Sequence, residues 1–421
     1  MILKRLNESY ISIAILLYIS FLAITIPYGF PLFGIVAIFF VALKLFTGRA
    51  KIKVNIVFLF FLLTICAYLI GVYNTVDTYS SVKFDLINII SYFFVWILIS
   101  DLQKDDFKSL FNVFSKLMII NGAIFAPISI LKFILLTRGT FISVLYIDDL
   151  YPSGTSLVID YNMFSMSIII SAILSIYMIS RSEKLSYKLI LSIIIIADLI
   201  SVLFAGSRRG WVILSLLLII IFFLVIFRMM SNKNAFTIIL FISTILTTVL
   251  FIILSIFYIM NIDLTLLASK EVEKLIARFD TLKFDQLNQG VENRDIRWSF
   301  TFYLIENMNS FELLLGNGFD YLRLFSERFN TPLDSDYPHN PILSSMLYSG
   351  LIGTLPLALM LGLSLAKSLA LVIKCRFTLA APFIVSFAFS IISANSIFSI
   401  KPFFILLLVV LSTPIIKKDN N

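Results

Sequence analysis

The stretch L-I-L-S-I-I-I-I-A-D-L-I-S-V-L-F at 189–204 decides the fold class. It is apolar nearly throughout and shows no alternation of polar and apolar positions. A transmembrane β-strand would alternate, because one face meets lipid and the other the lumen. A helix of about 20 apolar residues instead crosses a hydrocarbon core of ~30 Å. Runs of this kind recur along the whole chain, which is 60% hydrophobic with a mean hydropathy of +1.00, outside the range of soluble globular proteins. The expected fold is an all-α polytopic membrane protein.

Twelve spans are expected, at 9–27, 31–47, 54–73, 84–100, 110–136, 157–180, 187–206, 209–228, 236–260, 341–366, 377–395 and 399–416. The first apolar run leads into Pro27 and Gly29 with no small-residue cleavage site, so it reads as a span rather than a signal peptide. Lys4/Arg5, Lys44/Arg49/Lys51/Lys53, Lys104/Lys108, Arg181/Lys184/Lys188, Arg228/Lys233, Lys367/Lys374/Arg376 and Lys417/Lys418 fall on one side of this arrangement. By the positive-inside rule that side is cytoplasmic, with both termini inside. The net charge of +8 is thus a topology signal, and no nucleic-acid partner is expected. Cys66 lies in a span and Cys375 in a basic segment, so no disulfide is expected.

Three regions follow: spans one to nine in 1–260, one large polar loop in 261–341, and three spans with a short tail in 342–421. The loop holds thirteen of the 25 acids, eight of the 33 Lys and Arg residues, and the single histidine, His339. The orientation places it outside, periplasmic in a bacterium. A smaller outer loop lies at 137–156.

Two helices are expected within the large loop. In 266–282, Leu275, Phe279 and Leu282 share a face beside Arg278. In 293–308, Arg294 and Arg297 stand one turn apart, with Ile296, Phe300, Tyr303 and Leu304 as an apolar side. Such helices lie at a bilayer surface, where the arginines either form a solvated face or meet a lipid-linked anion. Between spans seven and eight, A-G-S-R-R-G-W sets Arg208 and Arg209 at the outer surface, against the charge rule. They read either as snorkelling to lipid phosphate or, preferably, as an anion site that Gly206 and Gly210 let a ligand approach. His339 precedes Asn340, a cap for span ten, and Pro341, which suits its first turn. It therefore sits where helix N–H groups favour an anion.

Asp160 and Asn162 open span six on the same outer side. Asp198 is an intramembrane acid and hence a functional suspect, while Lys132 has the reach to snorkel. Asp334 and Asp336 form a D-x-D pattern of the kind that binds metals, a spacing common in loops.

Four local patterns, in order, resemble the O-antigen polymerase and O-antigen ligase superfamily of bacterial membrane glycosyltransferases. Asp160-Tyr161-Asn162 is similar to the family's Asp-Pro-Asn, with Tyr for Pro. Ser207-Arg208-Arg209-Gly210 is similar to its Ser-Arg-Gly turn, with Arg209 where Gly is usual. Arg297-Trp298 followed by Leu315-Gly316-Asn317-Gly318-Phe319 is similar to its Arg…Leu-Gly-x-Gly-Phe run. His339-Asn340 followed by Gly350-Leu351-Ile352-Gly353 is similar to its His-Asn…Gly-Leu-Ile-Gly signature, with Tyr348 where members often carry Glu.

The resemblance implies a twelve-span enzyme of the bacterial inner membrane with its large loop between spans nine and ten and its active site on the periplasmic face. Donor and acceptor would be undecaprenyl-pyrophosphate-linked oligosaccharides, joined with inversion and without metal or cofactor. A chain-length regulator and a flippase would be its pathway partners. On this reading His339 accepts the acceptor's proton, Arg208, Arg278 and Arg297 clamp the pyrophosphate, and Arg209, Arg294, Asn340, Asp160 and Asn162 contact substrate. Arg208 is preferred to Arg209 as the functional arginine. The expected activity is polymerisation of surface polysaccharide. The alternatives are a ligase that moves glycan to lipid A-core and, from another class, a flippase or transporter, against which the absence of an internal repeat speaks.

Overall fold

The computed structural model describes residues 8–26, 32–138, 154–216, 272–275, 277, 294–373 and 379–414. Among these residues there is no β-strand. The helices are α1 (Ser9–Leu22), α2 (Leu32–Phe46), α3 (Ile56–Tyr73), α4 (Ser80–Ser100), α5 (Asp106–Thr137), α6 (Tyr161–Arg181) and α7 (Leu185–Phe204). They are followed by α8 (208–216), α9 (Arg294–Glu306), α10 (Ser310–Leu315), α11 (Tyr321–Phe329), α12 (Pro341–Ile373), α13 (Ala380–Ser390) and α14 (Lys401–Ser412).

Six of them, α3, α4, α5, α6, α7 and α12, are long and apolar enough to cross a membrane; α1, α2, α13 and α14 are shorter apolar helices. All ten coincide with expected spans. The eighth expected span is described only as far as residue 216, and the ninth, 236–260, lies outside the described residues. So do Lys4, Arg5, Cys375, Lys417, Lys418 and most of the 137–156 loop.

Caps and breaks in the sequence set the element ends. Asn55 Oδ1 accepts from Phe58 N at 3.0 Å and opens α3; Asp160 Oδ1 accepts from Asn162 N and Met163 N at 3.0 and 3.1 Å and opens α6. Helix α12 breaks at Gly350, whose φ of 59° no right-handed helix contains. Residues 341–349 are thus a short half-helix, and 351–373 continue for about 34 Å, enough to cross the core alone.

The helices pack around one apolar core, with α5, α6 and α7 mutually in contact and α3 against α12. Its middle is aromatic: Tyr92 meets Phe404 at 4.4 Å between ring centroids, and Tyr68 meets Phe319, Tyr348 and Phe398 at 4.9, 5.5 and 5.3 Å. Lys132 corrects an expectation. It does not snorkel but is buried, with its ammonium donating to the Ser156 carbonyl. That bond ties α5 to the segment leading into α6.

The 310–340 segment is fastened across the ends of α3 and α4. Asp320 accepts from Val76 N, Asp77 N and the Tyr79 hydroxyl at 2.9, 3.2 and 3.0 Å. Burial, and then the bond to Asp320, push the Tyr79 phenol above its ordinary range, so it remains a donor. Asp334 caps α4 from a distance in sequence, accepting from Ser80 Oγ and Ser81 N at 2.8 Å each and from Ser81 Oγ at 2.5 Å. Tyr321 donates to Asn395 Oδ1 at 2.6 Å, joining the same segment to the 391–400 connection.

Candidate functional site

Helix α9 lies where the sequence places it, but its apolar side differs. Phe300 and Leu304 pack against the core, with Phe300 5.0 Å from Phe325 and 6.0 Å from Phe329, whereas Ile296 and Tyr303 are exposed. The inward stripe is Arg297, Phe300, Thr301 and Leu304, spaced three and four apart as a helix face requires. Arg297 is thereby aimed at the strand of chain that precedes α12.

There it meets Asp336. Arg297 Nε donates to Asp336 Oδ1 at 2.6 Å and Nη2 to Oδ2 at 2.8 Å, the two-pronged geometry that a guanidinium forms with a carboxylate. The guanidinium also stacks over Phe329, 4.7 Å from the ring centroid. Asp336 is 2% exposed, and Arg297 15%. An acid so buried needs its partner, because an uncompensated carboxylate there would cost several kcal/mol.

His339 joins the same carboxylate. Its Nε2 lies 3.7 Å from Asp336 Oδ1, too far for a hydrogen bond but close enough for charge to be felt, and its side chain is 24% exposed. The Tyr337 ring sits 4.3 Å from the imidazole, and the Trp298 indole donates to the Pro338 carbonyl at 2.9 Å. Arg297 and Trp298, neighbours in sequence, thus grip successive parts of 336–338. His339 itself has φ 54°, a left-handed turn that carries the chain into the half-helix. Asn340 Oδ1 accepts from Ile342 N and Leu343 N at 2.9 and 3.2 Å, the cap the sequence predicts. Its side-chain oxygen therefore serves the helix rather than standing ready for a ligand.

The D-x-D reading is overturned. Asp334 is spent on the N-terminus of α4 and Asp336 on Arg297. The turn at Asp334, with φ 68°, sends the two carboxylates to different partners. Among the described residues no group of three or more His, Cys, Asp or Glu side chains is placed to hold a metal ion.

A second group forms at the α7–α8 turn. Ser207 Oγ accepts from Gly210 N at 2.9 Å, capping α8, and donates to Asn162 Oδ1 at 2.9 Å. Asp160, Asn162 and the Ser207–Gly210 turn are thus one unit, with Arg208 and Arg209 half-buried at its rim. Asp160 and Asn162 are framework here, one capping α6 and the other bonding Ser207. Gly210 is packed against Ser165 and so serves helix contact rather than ligand approach.

Of the first loop helix only 272–275 and 277 are described, and they are helical. Leu275 is buried with Leu203 and Trp211, which seats this piece of the loop beside the α7–α8 turn. Arg278 lies outside the described residues. The structure therefore brings Arg297 and His339 together around Asp336, with Asn340 capping α12 beside them in sequence and Arg294 one turn back on α9. It gathers Arg208, Arg209, Asp160 and Asn162 in a separate group.

The Leu315–Phe319 run has a mechanical explanation. Gly316 has φ 74°, and a Cβ there would come within 2.4 Å of Tyr348 C and Ser349 N; a Cβ at Gly350 would come within 2.5 Å of Leu314 C and O. The two glycines let the run cross the break in α12, where Asn317 N donates to the Leu347 carbonyl at 2.9 Å. Phe319 then stacks on Tyr348 at 4.5 Å and 17°. An acid at position 348 would be buried in this aromatic cluster. Sequence reasoning missed Asp336 as the hub and Trp298 as the loop's anchor; the local signals were that Trp298 follows Arg297 directly and that Asp336 stands three residues before His339.

No protein-family model matches the chain, and no curated protein sequence matches it.

Proposed function

We propose that this protein is a glycosyltransferase of the bacterial cytoplasmic membrane that polymerises a surface polysaccharide from undecaprenyl-pyrophosphate-linked units. In this reading the chain has twelve spans, both ends are cytoplasmic, and the 261–341 loop and site are periplasmic. The single observation that carries the proposal is the Arg297–Asp336–His339 constellation at the head of a broken helix. It combines a fixed cation for a phosphate with a group able to take a proton. The order of the four sequence patterns supports the same reading.

The chemistry follows from these parts. An acceptor sugar hydroxyl attacks the anomeric carbon of the donor glycan from the face opposite the pyrophosphate. The new C–O bond forms as the bond from that carbon to the phosphate oxygen breaks, and its electron pair leaves with undecaprenyl pyrophosphate. The hydroxyl proton passes to His339, and the nearby Asp336 carboxylate balances the imidazolium that results. The leaving group is stable as an anion, so it needs positive charge more than a proton. Arg297, held by Asp336 and Phe329, supplies that charge without reorganising, and Arg208 and Arg209 are the second source.

The test is a glycolipid gel from a strain lacking the protein, complemented by wild type, His339→Ala or Arg297→Ala. Wild type should restore a polysaccharide ladder, and each variant should leave core plus one repeat unit at normal protein level. Full ladders from either variant would overturn the mechanism. Full-length polymer retained on the lipid carrier in the deletion strain would make the protein a ligase instead.

A further inference from the structure

The turn that joins α2 to α3 lies at the other end of the bundle from the candidate site. Helix α3 is about 27 Å long, and beyond its far end Thr75 and Val76 fasten the 310–340 segment. The turn is fixed to the bundle by its own bonds. Gly48, at φ 65°, reverses the chain, and Arg49 N donates to the Lys44 carbonyl at 3.0 Å. Lys44 is buried against Asp101. Lys53 Nζ donates to the Leu102 carbonyl at 3.2 Å, and the Trp96 indole donates to the Lys53 carbonyl at 3.3 Å. Lys44 and Lys53 are thus spent on the protein. Arg49 and Lys51, between them, are exposed and form neither an ion pair nor a side-chain hydrogen bond. Lys51 acts on Asp101 only through space.

The side chains around these two cations are apolar and outward-facing. Phe46 is 90% exposed and Val54 80%, and Leu45, Ile52 and Ile56 are exposed as well. Cation and apolar residue alternate through Lys51-Ile52-Lys53-Val54. In water such a patch would be an aggregation liability. Here it continues the outward sides of α2 and α3, where Ile38 and Leu59 are also exposed. Helix α3 is long and apolar enough to cross a membrane, so the medium that covers this side is lipid. Charge then says which lipid. Residues 44–55 and 101–108 hold six Lys or Arg residues and three Asp residues, an excess of three positive charges.

We propose that the α2–α3 turn is a binding site for an anionic phospholipid. Arg49 and Lys51 take its phosphate, and the acyl chains lie along the exposed apolar residues of α2 and α3. A guanidinium fork and an ammonium suit phosphate oxygens, and basic residues at the end of a crossing helix attract anionic lipid over zwitterionic lipid. Because the turn is already held by Gly48, Lys44 and Lys53, the lipid meets cations whose backbone is in place. The site is independent of the glycosyltransferase reading, since it shares no residue with the site described above and lies beyond the opposite end of α3.

The experiment is thermal unfolding of the purified full-length protein in detergent, with phosphatidylglycerol or phosphatidylcholine titrated into the micelles. A ligand that binds only the folded state raises Tm in a saturable manner. Wild-type Tm should rise with phosphatidylglycerol and stay level with phosphatidylcholine. Arg49→Gln combined with Lys51→Gln should need roughly thirtyfold more phosphatidylglycerol for half the effect, as expected for two lost contacts to anionic lipid. Phe46→Gln, which leaves the charge intact, should weaken the response too. Arg181→Gln combined with Lys184→Gln removes as much charge from exposed positions beside Glu183 at the α6–α7 turn, and should leave the response unchanged. Equal shifts with the two lipids would overturn the site, as would an undiminished response in the Arg49/Lys51 double variant or in Phe46→Gln. A loss of equal size in the Arg181/Lys184 double variant would overturn it by showing attraction to net charge alone. The same rise from glycerol 3-phosphate, which has no acyl chain, would overturn the lipid as the occupant.

Discussion

Asp336 occupies the position on which the candidate site turns. It holds Arg297 by two hydrogen bonds and stands 3.7 Å from His339, although the arginine lies 39 residues earlier. Asp336→Asn keeps the shape and removes the charge, so Arg297 would lose its ion pair and swing from Phe329. Misplacement on this scale costs about 100-fold in turnover. The expected result is a fall of that size in kcat with a much smaller change in KM, measured with purified protein and lipid-linked glycan; a merely structural acid would change protein yield and leave kcat alone. In the sequence Asp336 stands out only as half of a D-x-D pattern; its pairing with Arg297 was not readable, because the partner is distant and the choice is made by tertiary packing. His339 was legible, because it is the single histidine and stands beside a recognisable helix start. The roles of Asp160 and Asn340 were half legible, since a capping residue and a ligand-binding residue look alike in sequence.

Among the elements, α12 and the run that crosses it carry the most constraint. Gly350→Ala would place a Cβ within 2.5 Å of Leu314 backbone at a left-handed φ. Strain of this kind costs of order 1–3 kcal/mol before any clash is counted. A marked fall in Tm, or loss of the folded protein from membranes, is expected; an unchanged Tm would show that the break in α12 is dispensable. Asp334→Ala tests the neighbouring fastening, and losing the cap on α4 should cost about 1 kcal/mol by the same measurement. The long helices were legible from their apolar runs, and α9 from its pattern within the loop, whereas α10 and α11 were not expected. The buried face of α9 was not legible, because the sequence shows which residues are apolar but not that α11 and α12 take up the side containing Arg297.

For the molecule as a whole, the two ends of the bundle are held by different means. At the end opposite the site, Lys44 is buried and donates to Asp101 Oδ2 at 2.7 Å, and Ser9 donates to the same oxygen at 2.7 Å. This joins α1, α2 and the end of α4. Burial opposes ionisation of Asp101, but the bonds from Lys44 and Ser9 prevail and hold its carboxyl below the ordinary value of 3.8. A depressed acid stabilises the fold above its unfolded pKa and loses that contribution as pH falls through the folded one. Stability should therefore decline below pH 3.8, and Lys44→Met should lower Tm at neutral pH and flatten the acid limb, as read by unfolding from neutrality to pH 2. The apolar helices among the described residues were readable because lipid imposes a length on every crossing. How distant segments fasten to one another was not, since Asp320 and Asp334 reach their partners across more than 240 residues. The bond from the Trp298 indole to the Pro338 carbonyl has an experimental use. The chain has three tryptophans, with Trp96 deep in the bundle and Trp211 against Leu203. With those two replaced by phenylalanine, Trp298 becomes a native fluorophore next to His339, and arrival of a substrate would register as a change in emission without any label.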